Sequence, residues 1–147
     1  MIANRALPPF VLTLEIGEEF LLADQSRARA VLDRLRGQGV RMSIDDFGTG
    51  YSSLALLRDL AIDELRLDES FIVAMGHDER SSTLVNSAIA LAHSLGLRMV
   101  AEGVDSDEAY AALVRFGCDS AQGDLFGEPL PAAEFDAWLA AGPGRRP

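Results

Sequence analysis

The adjacent carboxylates Asp45 and Asp46 are the residues whose types and spacing most clearly suggest chemistry. They lie at the end of a predicted strand and are followed by Phe47 and Gly48, which begin a glycine-containing loop. Hard cations such as Mg²⁺ take oxygen ligands, keep several waters and usually bind through one or two carboxylates beside a substrate phosphate. The pair therefore suggests a divalent-cation site that serves phosphate chemistry, although by itself it is a weak signal.

Composition limits the partners of such a site. The 147 residues have the length of one domain, and 48% hydrophobic with 24% charged content is that of an ordinary soluble globular protein. The formal net charge of -10, from 23 acids against 13 bases, argues against a nucleic acid polymer or an anionic membrane as a partner. A phosphate-bearing ligand would need metal ions to offset this charge.

The single cysteine, Cys118, excludes an intrachain disulfide and is compatible with a reducing compartment. The sequence contains no run of about 18 apolar residues, which a membrane-spanning helix would need. Its first residues also lack the apolar core of a secretion signal. These features predict a cytoplasmic protein without a membrane span.

Short apolar runs alternate with segments of helical period, which is the pattern of βα units around a parallel sheet. Five such units are predicted. The strands are expected over residues 10–15, 40–45, 64–67, 97–101 and 118–122. Three helices are expected over residues 26–36, near 54–60 and over 82–95. A fourth is expected to begin at Asp105, which has a capping-box-like spacing to Glu108. A fifth is expected to begin at Pro131, with Phe135, Trp138 and Leu139 on its apolar side.

The carboxyl ends of parallel strands meet at one rim, where ligands of such folds gather. Acids recur at four of the five predicted strand ends, and like charges so close together would repel each other unless cations held them. We therefore expect a functional rim. Its members, in strand order, are Glu15, then Asp45 and Asp46, then Arg66 and Asp68, then Glu102, and finally Gln122.

Five ordered motifs resemble those of the EAL-domain family of bacterial cyclic di-GMP phosphodiesterases. The resemblance runs from about residue 12 to the final helix. The motifs are Leu14-Glu15-Ile16-Gly17-Glu18, Asp45-Asp46-Phe47-Gly48-Thr49-Gly50-Tyr51-Ser52-Ser53-Leu54, Leu65-Arg66-Leu67-Asp68, Ala101-Glu102-Gly103-Val104-Asp105 and Gln122-Gly123.

The resemblance implies a TIM-like (β/α)8 barrel whose rim binds two Mg²⁺ or Mn²⁺ ions and hydrolyses cyclic di-GMP to the linear dinucleotide. Asp45 and Asp46 can act together only if the chain turns at Phe47 and ends the alternation of side chains. The roles that the resemblance implies are metal binding for Glu15, Asp45, Asp46 and Glu102; catalysis for Glu102 and for Arg66 at the family's lysine position; loop stabilisation for Glu18; and ligand or rim contacts for Asp68, Gln122, Phe47 and Gly48.

Departures from the family pattern favour a degenerate member. Arg66 replaces a lysine near the metal-bound water, Gly17 replaces a threonine and Asp124 replaces an aromatic residue. The family's Glu-Ala-Leu strand and a strand with an Asn ligand should precede residue 12, so we expect an incomplete barrel. We therefore expect three segments in the chain. They are a leader over residues 1–11, which is a candidate truncation point, a partial EAL domain over residues 12–141, and a disordered tail over residues 142–147.

Three functional readings remain open. The favoured one is a truncated, degenerate EAL domain that acts in cyclic di-GMP signalling by binding the nucleotide or a protein partner, with little or no catalysis. The second is an active metal-dependent phosphodiesterase that is completed by another chain or by a missing amino-terminal segment, and the third is a structural fragment without a ligand. Without the missing strands the first strand would be an open edge, so we expect a homodimer or another chain to cover it.

Overall fold

Five parallel strands form one sheet, in which their spatial order equals their order along the chain. The computed structural model describes residues 8, 10–17, 25–50 and 54–141. Sequential order with parallel pairing throughout is the arrangement of a (β/α) barrel, because a doubly wound sheet reverses its strand order. The strands are β1 (Thr13–Gly17), β2 (Arg41–Phe47), β3 (Glu64–Leu67), β4 (Arg98–Ala101) and β5 (Ser120–Ala121).

Helices connect these strands, so the predicted α/β class with five parallel strands is confirmed. The described helices are α1 (Gln25–Arg36), α2 (Leu54–Asp59), α3 (Glu69–Met75), α4 (Glu79–Ser94), α5 (Asp107–Phe116) and α6 (Ala132–Ala141). None of the helices in the described part of the chain is long and apolar enough to cross a membrane. Glu18 and the predicted tail over 142–147 lie outside the described residues.

The boundaries of β3 are those predicted, whereas β2 and β4 differ by one or two residues and β1, β5 and two helix starts differ more. β1 begins three residues later than expected, after Phe10 adopts a left-handed φ of 63°. β5 has two residues instead of five, because the Cys118 amide donates to the Leu113 carbonyl and so belongs to the end of α5. Helix α4 begins before Ser82, since the Asp78 carboxylate accepts a hydrogen bond from the Ser81 amide.

The start of α5 and the whole of α3 also differ from the prediction. The cap of α5 is Ser106, whose hydroxyl accepts from the Ala109 amide, and it is not Asp105. Helix α3 was not predicted, because its cap, Asp68, had been interpreted as a rim residue. The Asp68 carboxylate accepts from the Ser70 amide at 3.0 Å, which is the usual way in which an aspartate stabilises a helix start.

The two faces of the sheet have different chemistry. Side chains at one set of alternate positions pack against helix residues such as Leu32, Ile89 and Leu113 in a single buried core. The opposite face carries the polar side chains, as expected from the two-residue period of strands. The core-facing strand residues are Met42, Ile44, Leu65, Leu67, Met99 and Ala101, and the opposite face carries Glu15, Ser43, Asp45, Glu64, Arg66 and Val100.

The apolar side of α6 is not covered by the described residues. Phe135 and Leu139 are 46% and 52% exposed, and Trp138 is only half-buried and stacks on Phe135 with 5.6 Å between ring centroids. The three residues therefore form an apolar surface and are not part of the core.

Two aspartates repeat the same contact at the amino ends of the strands. Asp63 directly precedes β3 and accepts from the Met42 amide in β2 at 2.9 Å. Asp119 directly precedes β5 and accepts from the Met99 amide in β4 at 2.8 Å, while the His93 side chain lies 2.9 Å from the same oxygen. Each carboxylate satisfies a strand amide, so both hold the start of one strand against the next.

We expect Asp119→Ala to lower the free energy of unfolding by about 2 kcal/mol, because it leaves the Met99 amide without its acceptor. Asp119→Asn should cost about 1 kcal/mol or less, since the amide oxygen can still accept. Burial raises the pKa of Asp119, but the bonds from the Met99 amide and His93 outweigh it and leave the pKa lowered. The stabilisation is therefore present above the ordinary aspartate pKa and disappears as the pH falls through the lowered value.

Urea denaturation of the wild type and both variants at neutral pH and near pH 3 measures this effect. If the free energies of unfolding of the wild type and Asp119→Asn differed by the same amount at both pH values, the role of the charge would be contradicted.

Candidate functional site

Arg66, on the central strand β3, lies at the centre of the predicted rim. Only 8% of this residue is exposed. Its Nη1 is 2.9 Å from Glu15 Oε1 on β1, and its Nη2 donates to Gln122 Oε1 after β5 at 2.9 Å. These partners belong to the two outermost strands, each about 10 Å from β3 in a flat sheet. One side chain can touch both only because the sheet curves around it, as in an arc of a barrel.

Two further carboxylates complete the cluster around Arg66. Glu102 Oε1 accepts from Arg66 Nε at 2.5 Å and also contacts Nη2. Asp45 Oδ1 is 3.6 Å from Arg66 Nε, which is an ion-pair distance but too long for a hydrogen bond. This oxygen is buried and has no hydrogen-bond partner among the described residues. Three carboxylates and one amide from four strand ends thus converge on a single guanidinium.

The electrostatics of Glu102 show how closely these charges are packed. Burial is the largest cause of a raised pKa for Glu102, and the charges of Asp45 and Glu15 raise it further. The hydrogen bond and the charge of Arg66 act in the opposite direction without reversing the shift. The single guanidinium therefore compensates the carboxylates only in part.

Asp46 is separated from this cluster by a local break in β2. It adopts a left-handed φ of 55°, and the pairing of β2 with β3 shifts register between Ile44 and Phe47. The alternation of side chains therefore ends at Asp46, one residue earlier than the turn predicted at Phe47. Phe47 itself is 9% exposed and packs in the core, and the exposed Asp46 has no contact with Arg66.

Gly48 and Asp68 support the loops beside the rim and make no contact with Arg66. A Cβ atom on Gly48 would lie 2.7 Å from Cζ of Phe71, so only glycine allows this ring to cover the turn after β2. Asp68 uses its carboxylate to cap α3, with bonds from the amide and the hydroxyl of Ser70. The structure thus brings together Glu15, Asp45, Arg66, Glu102 and Gln122 from the predicted set.

Gly123 and Val104, which sequence reasoning did not identify as positioning residues, fix Gln122. The Val104 amide donates to the Gln122 carbonyl at 3.0 Å, and the Leu125 amide donates to the Val104 carbonyl at 3.1 Å. A Cβ atom on Gly123 would lie 2.3 Å from the Val104 carbonyl oxygen. The glycine that follows Gln122 was the available signal, because glycine often marks close approach of two backbones.

The curved parallel sheet and the acids at its carboxyl ends define a TIM-barrel-like α/β protein with a polar rim. The chain belongs to the EAL domain family, whose family model matches residues 1–129.

The chain is similar to two curated proteins of Pseudomonas aeruginosa. It is 41% identical over 137 residues to the bifunctional diguanylate cyclase/cyclic di-GMP phosphodiesterase MucR, covering 93% of this chain and 20% of that protein. It is 44% identical over 130 residues to the cyclic di-GMP phosphodiesterase NbdA, covering 88% of this chain and 17% of that protein. The chain thus spans a fifth or less of these relatives.

Solved EAL structures share the fold. A cyclic di-GMP complex of the PaMucR phosphodiesterase matches with a TM-score of 0.85 and 40% identity, covering 91% of this chain and 54% of that one. The EAL domain of Mycobacterium smegmatis DcpA matches with a TM-score of 0.90 and 40% identity, covering 98% of this chain and 65% of that one. The described sheet is therefore a fragment of the barrel.

The residues at this rim do not fit a divalent metal as they are arranged. Carboxylate oxygens are suitable ligands for Mg²⁺ or Mn²⁺, but the Arg66 guanidinium already contacts Glu15, Asp45 and Glu102. The described part of the chain contains no group of three or more His, Cys, Asp or Glu side chains arranged to hold a metal ion. The rim offers hydrogen-bonding groups instead, among them the NH₂ group of Gln122, whose oxygen accepts a hydrogen bond from Arg66.

Proposed function

We propose that this chain is an EAL-type unit that binds cyclic di-GMP at its rim and by itself hydrolyses it slowly or not at all. The observation that carries the proposal is the convergence of Glu15, Asp45, Glu102 and Gln122 on Arg66. It occurs in a chain that is 40% identical to a phosphodiesterase solved with cyclic di-GMP. We assign the unit to residues 12–141 and to the cytoplasm.

The same contacts argue for binding without rapid turnover. Hydrolysis of a phosphodiester needs a group that can take a proton from the attacking water. Arg66 stays protonated in proteins and cannot take it. Glu102 and Glu15 each contact the guanidinium through one oxygen, so a proton on either carboxyl would remove its charge and weaken its contact with Arg66.

An active phosphodiesterase is the second candidate. The observation that favours it is the 41% and 44% identity to two proteins named as cyclic di-GMP phosphodiesterases. Because the chain spans a fifth or less of those proteins, another chain or segment would complete this enzyme. Release of the linear dinucleotide distinguishes the two proposals.

Calorimetric titration of the purified chain with cyclic di-GMP in EDTA tests the proposal. The buffer should contain about 0.15 M salt, because a screening length of about 8 Å then limits the repulsion between the acidic protein and the anionic ligand. We expect saturable binding that Gln122→Ala weakens about tenfold, or about 1.4 kcal/mol. Thr83→Ala, on the exposed side of α4, is the matched control and should bind like the wild type. Absence of binding both in EDTA and with added Mg²⁺ or Mn²⁺ would leave only a structural role.

The assembly that we propose covers the open edges of the sheet. Within the described residues, β1 pairs only with β2 and β5 pairs only with β4. Exposed apolar side chains lie near β1, where Val11 is 55% exposed, and on α6, where Leu139 is 52% exposed. We propose that a second copy or another chain covers these surfaces. Light scattering that shows a compact monomer at micromolar concentration would contradict self-association.

A further inference from the structure

We infer that Arg66 is a built-in counter-ion of the rim and that it keeps divalent cations away from Glu15, Asp45 and Glu102. The inference concerns the charge balance of the rim and does not depend on nucleotide binding. In this arrangement a covalently attached guanidinium performs the neutralisation that the acidic strand ends require.

The Arg66 guanidinium already faces one oxygen of each of the three carboxylates. Arg66 directs Nη1 to Glu15 and Nε to both Glu102 and Asp45, so three separate carboxylates face one planar group. A cation that took these oxygens would have to displace the guanidinium from all three. Gln122 adds a fourth contact that orients the guanidinium plane.

Arg66 cannot easily leave this position. Its side chain is 9% exposed, and its backbone belongs to β3, which pairs with β2 on one side and β4 on the other. A guanidinium also remains protonated at any pH at which the protein is folded, so it cannot lose its charge to admit a metal. A lysine at this position would differ, since an ammonium lacks the planar fork and loses its proton readily when buried.

A net negative charge remains on the rim in the presence of Arg66. Glu15, Asp45 and Glu102 carry three negative charges when ionised, and Arg66 carries one positive charge. This excess would attract a divalent ion. An ion that approached would nevertheless meet the guanidinium at the shared oxygens, where like charges repel. Removal of Arg66 should therefore expose a cation site that the wild type does not offer.

Mn²⁺ binding, measured by electron paramagnetic resonance of the unbound ion, tests this inference on the wild type, Arg66→Met and Arg66→Lys. We expect Arg66→Met to bind Mn²⁺ at least about tenfold more tightly than the wild type, a difference of about 1.4 kcal/mol. Arg66→Lys should lie between them. The control is Arg58→Met, because Arg58 is exposed and pairs only with its neighbour Asp59 among the described residues; it should match the wild type.

Two further measurements keep the test decisive. Mn²⁺ should raise the Tm of Arg66→Met above that in NaCl of equal ionic strength and leave the wild-type Tm unchanged, as expected when a ligand binds only the folded variant. If Arg66→Met does not fold, Glu102→Gln in the wild-type background decides. The inference would be overturned if the wild type bound Mn²⁺ tightly and Glu102→Gln abolished that binding. This outcome is independent of whether the chain binds cyclic di-GMP in EDTA.

Discussion

Arg66→Met is expected to lower the free energy of unfolding by about 3 kcal/mol at neutral pH. Removing one partner of a buried ion pair typically costs about 3–5 kcal/mol, because the remaining charge is left without compensation. We expect the lower end of that range here, because the side chains of Glu15, Asp45 and Glu102 are 49%, 33% and 24% exposed and therefore remain partly hydrated.

Urea denaturation measures this loss, and a double-mutant cycle shows its cause. If repulsion among the uncompensated carboxylates destabilises Arg66→Met, then Arg66→Met with Glu102→Gln should be more stable than Arg66→Met alone by about 1 kcal/mol. Glu102→Gln by itself should not stabilise the wild type in the same way, because it removes a partner of Arg66.

Arg58→Met is again the matched control. It removes the same charge and a similar volume from α2, but Arg58 pairs with Asp59 at the surface. The two side chains are 69% and 52% exposed, respectively. Such pairs contribute little to stability. If Arg66→Met were no less stable than Arg58→Met, the carboxylates of the rim would not depend on Arg66, and the role that we assign to it would be wrong.

Gly123→Ala is expected to destabilise the fold by about 3 kcal/mol and also to displace Gln122. The added Cβ would lie 2.3 Å from the oxygen and 2.4 Å from the nitrogen of Val104. Val104 is fully buried, and its amide and carbonyl groups are bonded to Gln122 and Leu125, so its backbone cannot shift without breaking these contacts. Overpacking of this kind typically costs about 1–3 kcal/mol and sometimes more, and the positive φ of 157° adds strain.

Gly117→Ala separates the clash from the effect of conformation. Gly117 also has a positive φ, of 77°, but nothing lies within 4 Å of the Cβ position. Its substitution should cost only the left-handed strain, about 1–2 kcal/mol. Thermal and urea denaturation compare the two variants, and an equal loss in both would contradict the close packing of Gly123 on Val104.

The binding of cyclic di-GMP gives Gly123→Ala a second readout. Because the Gln122 carbonyl is one of the groups that hold Val104, movement of residue 123 changes the position of the Gln122 amide relative to Arg66. We expect weaker binding at a temperature where the variant is still folded, whereas Gly117→Ala should bind like the wild type at that temperature.

Much of the fold follows from local patterns in the sequence. The alternation in Glu64-Leu65-Arg66-Leu67 predicts β3 correctly, since Leu65 and Leu67 are both needed on the core side. The parallel order of all five strands follows from the regular spacing of strand and helix patterns. By contrast, helix α3 was not predicted, because an aspartate after a strand has the same appearance whether it faces a ligand or caps a short helix.

The position of the break in β2 depended on tertiary contacts. Phe47 was expected at the turn, but a phenylalanine can be buried in the core at 9% exposure if Asp46 adopts the left-handed conformation instead. Aspartate tolerates that conformation better than most residues do. The Phe71 ring over Gly48 comes from α3, a helix that was not predicted, so the sequence pattern around residue 47 could not indicate this packing.

By itself, the sequence determined the α/β class, the membership of the EAL domain family and the set of polar residues at the strand ends, because these depend on short-range periodicity and ordered motifs. Only the tertiary structure decided that Glu15, Asp45, Glu102 and Gln122 converge on Arg66 while Asp46, Phe47 and Asp68 do not. The reason is the curvature of the sheet, which brings β1 and β5 within reach of one side chain on β3. Curvature arises from the packing of all five strands and their helices, and no local segment of the sequence specifies it.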